Sequence, residues 1–210
     1  MRLILASTSP RRKELLALLG YPFDVVPPAF TECLMPGQPA DTQAKEFAFQ
    51  KAASCAAREP DATVLGSDTV IALDEEVIGK PRDLRDAEIM LRRLMGRRHV
   101  IYTAVALVQK RHAVQDVAVA SVCVWMRRWD DAQLTAYIES AEGLGKAGAY
   151  SIQGVGGQLV ERIEGDFTAA VGLPIQLVAT MLNLRGVGPL TDVEQLYHTR
   201  PYPNWNQFPS

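Results

Sequence analysis

The sequence predicts an α/β fold built on an extended mixed sheet. Two observations carry that prediction. Apolar runs of strand length alternate with segments of helical period, and two long apolar runs face each other across a charged turn. Strands are expected near residues 3 to 6, 23 to 26, 63 to 73, 99 to 109, 114 to 126 and 158 to 163. Helices are expected near 10 to 19, 41 to 57, 83 to 94, 130 to 140 and 174 to 184. Thr103 to Val108 and Val117 to Val122 flank Lys110-Arg111-His112 and read as antiparallel neighbours, so the sheet is mixed rather than parallel throughout.

The 210 residues are 48% apolar and 22% charged, enough for one sizeable core. The formal charge of −2 gives no general attraction to polymeric nucleic acid or to an anionic membrane, so any anion site must be local. Cys33, Cys55 and Cys123 lie far apart without metal-ligand spacing, which fits reduced thiols in the cytoplasm. The opening apolar run Leu3 to Ala6 is too short for a secretory signal, and no segment reaches the roughly 20 apolar residues that span a bilayer. Beyond Gly186 the chain becomes polar, aromatic and rich in proline. It divides into a unit over residues 1–186, then an extension over 187–210 expected to lie over the surface or be partly disordered, and dispensable for chemistry.

Four segments carry candidate chemistry. In Ser7-Thr8-Ser9-Pro10-Arg11-Arg12 an apolar strand hands over to a helix, with Ser9 suited to the N-cap and Pro10 to the first helical position. Two arginines in a first turn oppose the helix dipole by roughly 0.3–1 kcal/mol each, and a bound phosphate would repay that. Taken alone, solvated arginines explain the segment equally well. In Val64 to Leu73 the carboxylate of Asp68 interrupts an apolar strand, and a buried acid must meet a cation, a metal or several donors. Gly66 and Ser67 beside it suggest that something approaches the backbone there.

Lys51 falls within the apolar stripe Ala44, Phe47, Ala48, Ala52 and Cys55, where it either snorkels outward or reaches an anion. Lys80 follows the Asp68 strand and its return, held extended by Pro81. The loop Lys146 to Gly157 is dense in glycine yet carries Tyr150, Ile152 and Gln153, whose amide can read a nucleobase edge; a structured turn without a ligand remains the plainer explanation. Glu32 and Asp68 together offer the two hard oxygens that magnesium commonly takes from protein.

In order along the chain, Ala6 to Leu16, Lys51-Ala52, Gly66 to Val70, Gly79-Lys80-Pro81, Lys146 to Gly154 and Val171-Gly172-Leu173-Pro174 resemble the signatures of the Maf family of nucleotide pyrophosphatases. Arg11, Thr69 and Gln153 match its dTTP/UTP branch, whose 7-methyl-GTP relatives carry Trp, Gln and Glu there. The chain departs from the family's habit at Ala29-Phe30-Thr31, where acids are more common, at Gly145 in place of Asp, and at Ser151 in place of Gly.

The resemblance implies a Maf/ITPase-like fold of two lobes sharing one sheet, with a central cleft where dTTP or UTP, with CTP and modified pyrimidine nucleotides as alternatives, is hydrolysed to the monophosphate and pyrophosphate. It implies Asp68 as the acceptor of the water proton, Ser7, Arg12, Lys51 and Lys80 as phosphate ligands, and Arg11, Thr69 and Gln153 as determinants of base choice. Glu32 and Asp68 would place a divalent cation, magnesium first, with manganese and cobalt as alternatives. Homodimers are common in the family, and the sequence leaves the oligomeric state open. The rival function is a regulator of septum formation that binds a nucleotide without cleaving it.

Overall fold

The computed structural model describes residues 2–208, so Met1 and the last two residues of the expected extension lie outside it. Seven strands form one sheet: β1 (Leu3–Ala6), β2 (Phe23–Val26), β3 (Thr63–Leu73), β4 (Glu76–Ile78), β5 (Arg98–Gln109), β6 (Val114–Met126) and β7 (Val160–Glu164). Their order is β2-β1-β3-β5-β6-β7, with β4 pairing on β3. β1 runs parallel to β2 and β3, and every other pairing is antiparallel. The two long apolar runs are β5 and β6, paired from Arg98↔Trp125 to Gln109↔Val114.

Helices α1 (Pro10–Ala17) and α2 (Ala40–Ala56) are the crossovers of the parallel part. The chain steps from β1 outward to β2, then back past β1 to β3. Two right-handed crossovers in opposite directions place their helices on opposite faces of the sheet. The packing agrees. Leu65, Ile71 and Leu73 of β3 join Leu15, Leu16 and Leu19 on one face, while Val64, Val70 and Ala72 join Ala44, Phe47, Ala48 and Ala52 on the other. The alternation is the period-2 geometry of a strand buried on both sides.

The first face is completed by α3 (Leu84–Leu94), α4 (Asp131–Glu139), α5 (Phe167–Val171) and α6 (Ile175–Asn183). Asp83 and Asp130 start α3 and α4 by accepting from the backbone N–H of Asp86 and Gln133, each at 2.8 Å. The short β4 is the return expected before Lys80, for which the sequence sets no bounds, and α5 was not among the expected elements. Three and five residues give too little periodicity to read.

The expectation for the extension is corrected. A seventh helix, α7 (Val193–Thr199), follows the cap at Asp192, and Leu196, Tyr202, Trp205 and Phe208 are buried in the main core. Phe167 stacks on Trp205 and on Phe208, each at 5.8 Å between ring centroids. Fully burying one large apolar side chain contributes about 1.5–3 kcal/mol, which suffices to hold a segment with little regular structure.

β3 has two successive partners on one edge. β1 covers residues 63 to 66 and β4 covers 71 to 73. Between them, residues 67 to 70 pair only with β5, and no described strand lies on the other side. Asp68 and Thr69 sit in that slot.

β5 also carries a buried polar pair. His99 Nε2 lies 2.8 Å from the hydroxyl of Tyr150, and its Nδ1 has no partner. Burial pulls the His99 pKa down from 6.5 to about 4. Between those values the unfolded ring is protonated while the folded ring stays neutral, so the unfolded state binds more protons and stability falls as pH drops through that window. The slope from this group reaches at most about 1.4 kcal/mol per pH unit. Urea unfolding at pH 7 and pH 4.5 should show this loss, and His99→Phe should flatten it. Equal pH slopes in parent and variant would remove His99 from the account.

Candidate functional site

The site forms where β1 ends. Ser7 leaves the strand, and its Oγ accepts from the backbone N–H of Ser9 at 3.1 Å. Ser9 takes the N-cap of α1 with extended backbone and Pro10 the first helical position, as the sequence predicts. The Ser9 side chain makes no capping bond, so the positive end of the helix remains available to an anion. Arg12 bridges elements: its Nε donates to the carbonyl of Gly172 at 2.9 Å and its Nη2 to Thr69 Oγ1 at 3.2 Å. Burial draws the Arg12 pKa down, Asp68 and Glu32 push it back up, and a guanidinium stays charged throughout.

Opposite stands Lys51, placed by a close approach of helix to strand. Gly66 lies under α2: a Cβ there would meet the carbonyl oxygen of Ala48 at 2.3 Å and the amide nitrogen of Ala52 at 2.8 Å. What approaches the backbone beside Asp68 is therefore α2 itself. The fit brings Lys51, one residue before Ala52, against Asp68, two residues after Gly66. Lys51 does not snorkel. It is buried, and its ammonium donates to Asp68 Oδ1 and to Glu32 Oε1, the latter at 2.5 Å. Lys80, half exposed, donates to the other oxygen of Glu32 at 2.6 Å.

Two carboxylates and two ammonium groups thus form one chain: Asp68, Lys51, Glu32, Lys80. Their environments separate the two acids. Burial pushes the Asp68 carboxyl above its ordinary range, with Glu32 adding to the push and Lys51 and Arg12 opposing it. Burial also pushes Glu32 up, but Lys51 and Lys80 outweigh it and bring its carboxyl down to about 2. Glu32 is ionised at any working pH, whereas Asp68 is the stronger base.

The glycine-rich loop closes the third side. It is structured, with 3-10 turns at Ala147–Ala149 and Val155–Leu159. The Glu142 carboxylate accepts from the N–H groups of Val155 and Gly156, each at 2.9 Å, and the N–H of Gly148 donates to the carbonyl of Gly79 at 3.0 Å, beside Lys80.

Ser7, Arg11, Arg12, Glu32, Lys51, Asp68, Thr69, Lys80 and Gln153 all line one cleft of about 450 Å³. Asp68 is 3% exposed yet lines that cleft together with the arginine turn and both lysines. Sequence reasoning did not single out Phe30, which lines the cleft and packs on Phe47 at 5.9 Å. It also passed over Tyr202, whose hydroxyl reaches Gln153 from the tail. An aromatic in a proline-rich stretch carries no positional signal that could have found it.

Comparison with known proteins gives a consistent picture. The family described as Maf-like protein matches residues 2–185. The chain is 44% identical to the dTTP/UTP pyrophosphatase of Vibrio parahaemolyticus, over 83% of this chain and 92% of that one. It is 45% identical to that of Bacillus velezensis, over 83% and 91%, and 43% identical to that of Moorella thermoacetica, over 89% and 96%.

The seat of α2 on Gly66 gives a direct test. Gly66→Ala should lower stability by about 3 kcal/mol, because backbone rather than a flexible side chain must yield. Ser67→Ala, which loses one hydrogen bond to Gly172, should cost about 1 kcal/mol. Urea midpoints compare the two, and an equal, small loss in both would show that α2 has room to move.

Proposed function

Because this chain belongs to the Maf-like family, we propose that it hydrolyses dTTP and UTP to the nucleoside monophosphate and pyrophosphate. The names of its relatives support the substrates. The observation that carries the chemistry is the meeting of the buried Asp68 carboxylate with Lys51 and Arg12 in a cleft headed by an uncapped helix N-terminus.

Asp68 is the acceptor of a proton from water, and its raised pKa makes it a better base than an ordinary aspartate. The water oxygen forms a bond to the α-phosphorus, the bond from that phosphorus to the bridging oxygen breaks, and pyrophosphate departs with the electron pair. Arg12, Lys51 and Lys80 hold the phosphates with Ser7 and the first turn of α1, so positive charge is in place before negative charge builds on the leaving group. Lys51 touches Asp68, and a phosphate that draws the ammonium to itself would free the carboxylate to act.

A divalent cation fits the donor set. Glu32 and Asp68 bring hard oxygens to one shared ammonium, and magnesium takes one or two carboxylates with waters and phosphates completing its shell. Glu32 and Asp68 would hold magnesium, or manganese or cobalt in its place, and the bound ion would supply charge neutralisation for the triphosphate. Arg11, Thr69 and Gln153 face the base. We also place the protein in the cytoplasm, on the free thiols Cys33, Cys55 and Cys123; no described helix is long and apolar enough to cross a membrane.

Asp68→Asn keeps size and shape and should reduce pyrophosphate release from UTP by at least about 100-fold, the scale of a lost general base. Near-parent turnover in a folded Asp68→Asn protein would overturn the assignment, and no release by the parent would favour the non-cleaving regulator. Gln153→Glu should weaken use of dTTP and UTP relative to purine triphosphates. A substrate panel with unchanged ratios would disconnect Gln153 from base choice.

A further inference from the structure

The tail beyond the family-matched residues takes hold of the glycine-rich loop through one side chain. Asn204 Nδ2 donates to the carbonyl of Ile152 at 3.0 Å and to that of Gly154 at 2.8 Å. Its Oδ1 accepts from Gln207 Nε2 at 2.9 Å. Both amide protons meet an acceptor and the oxygen meets a donor, so the amide sits in one sense only. Asn204 stands at φ 64°, in the left-handed region that asparagine enters more readily than most residues. Trp205, next in the chain, is fully buried against Phe167 and Tyr197, which ties the amide to the core. Gly157 leaves room for it: a Cβ there would stand 2.7 Å from Nδ2.

Peptide units are planar, so a residue's backbone is set once the units on both sides of it are held. For Gln153 the unit before it carries the Ile152 carbonyl, gripped by Asn204. The unit after it carries the Gly154 N–H, which donates to the carbonyl of Ser151 at 3.1 Å. One unit further on, Asn204 takes the Gly154 carbonyl and Glu142 takes the N–H of Val155. Gln153 is thus held in place by contacts that leave its own side chain in the cleft.

We propose that Asn204 is a positioning residue for the nucleotide: by clamping the backbone around Gln153 it fixes where that side chain meets the base. This rests on the reading above that Gln153 faces the base. Asn204 does not line the cleft itself and acts through the loop. A loop already ordered spares the ordering cost that binding would otherwise meet, so the clamp works on affinity for the base and not on the reacting atoms.

Calorimetry with magnesium and two probes separates this role from support of the fold. The α,β-methylene analogue of UTP carries a base, whereas inorganic tripolyphosphate carries none and meets only the residues that hold phosphates. Asn204→Gly keeps the left-handed turn and removes the clamp, and Asn204→Asp keeps the shape and removes both donors. Each should raise the Kd of the UTP analogue by about fivefold to tenfold, the worth of the lost hydrogen bonds, and leave that of tripolyphosphate within about twofold. In pyrophosphate release from UTP, KM should rise by a like factor while kcat stays within about twofold.

Unchanged affinity for the UTP analogue, or a loss for tripolyphosphate as large as that for the analogue, overturns the clamp. If one variant fails to fold, the other carries the comparison; if both fail, Asn204 serves the fold and the positioning role is overturned. Selective loss of the analogue in a protein that releases no pyrophosphate removes the hydrolytic function but leaves the clamp standing, and release with unaltered affinities does the reverse. A parent that binds neither probe overturns both.

Discussion

A lysine ammonium buried between two carboxylates is the interaction around which this molecule is arranged. Removing three charged groups from water is costly, and the cost is offset only where each finds its partner at close range. Lys51 meets Asp68 and Glu32, and Lys80 balances the outer oxygen of Glu32. Small residues make this possible. Alanines 44, 48 and 52 face the sheet, and the missing side chain of Gly66 lets α2 settle onto β3. A larger residue at any of those positions would lift the ammonium away from the acids, and what followed would be a structural fault and an electrostatic one together.

The same arrangement explains why the cleft lies where it does. β3 is long enough to outrun β1 before it meets β4, which opens an edge at Asp68 and Thr69 without breaking the sheet. The turn after β1 brings the arginines to that edge, the return through β4 brings Lys80, and the glycine-rich loop is tied to Gly79. Segments far apart in sequence thus converge because one strand exchanges partners. The pairing on β5 continues unbroken behind them, so the acid stands on a fully paired stretch of sheet.

Much of this was legible in the residues. The strands β1, β2 and β3 begin and end where their apolar runs do, and Ser9-Pro10 marks the start of α1. Asp68 and Lys51 each stood out as a charge in an apolar pattern, and patterns of that kind are informative because burial makes them expensive. Their mutual contact was not legible, since no periodicity tells which strand a helix lies on. The purpose of Gly66 was legible only in part: close approach was evident, but its partner is a helix backbone rather than a ligand. The tail was misjudged because Tyr202, Trp205 and Phe208 sit among prolines with neither a 2 nor a 3.6 repeat, and each docks on its own.

That docking bears on where the folded unit stops. Similarity to the family ends at residue 185, but the ring of Phe167 is covered from beyond that point. A boundary drawn by likeness to relatives would therefore cut through a shared interior and leave an aromatic surface open to self-association. In this chain the end of the family match and the end of the packed interior are different places, and the second is the one a protein chemist should respect.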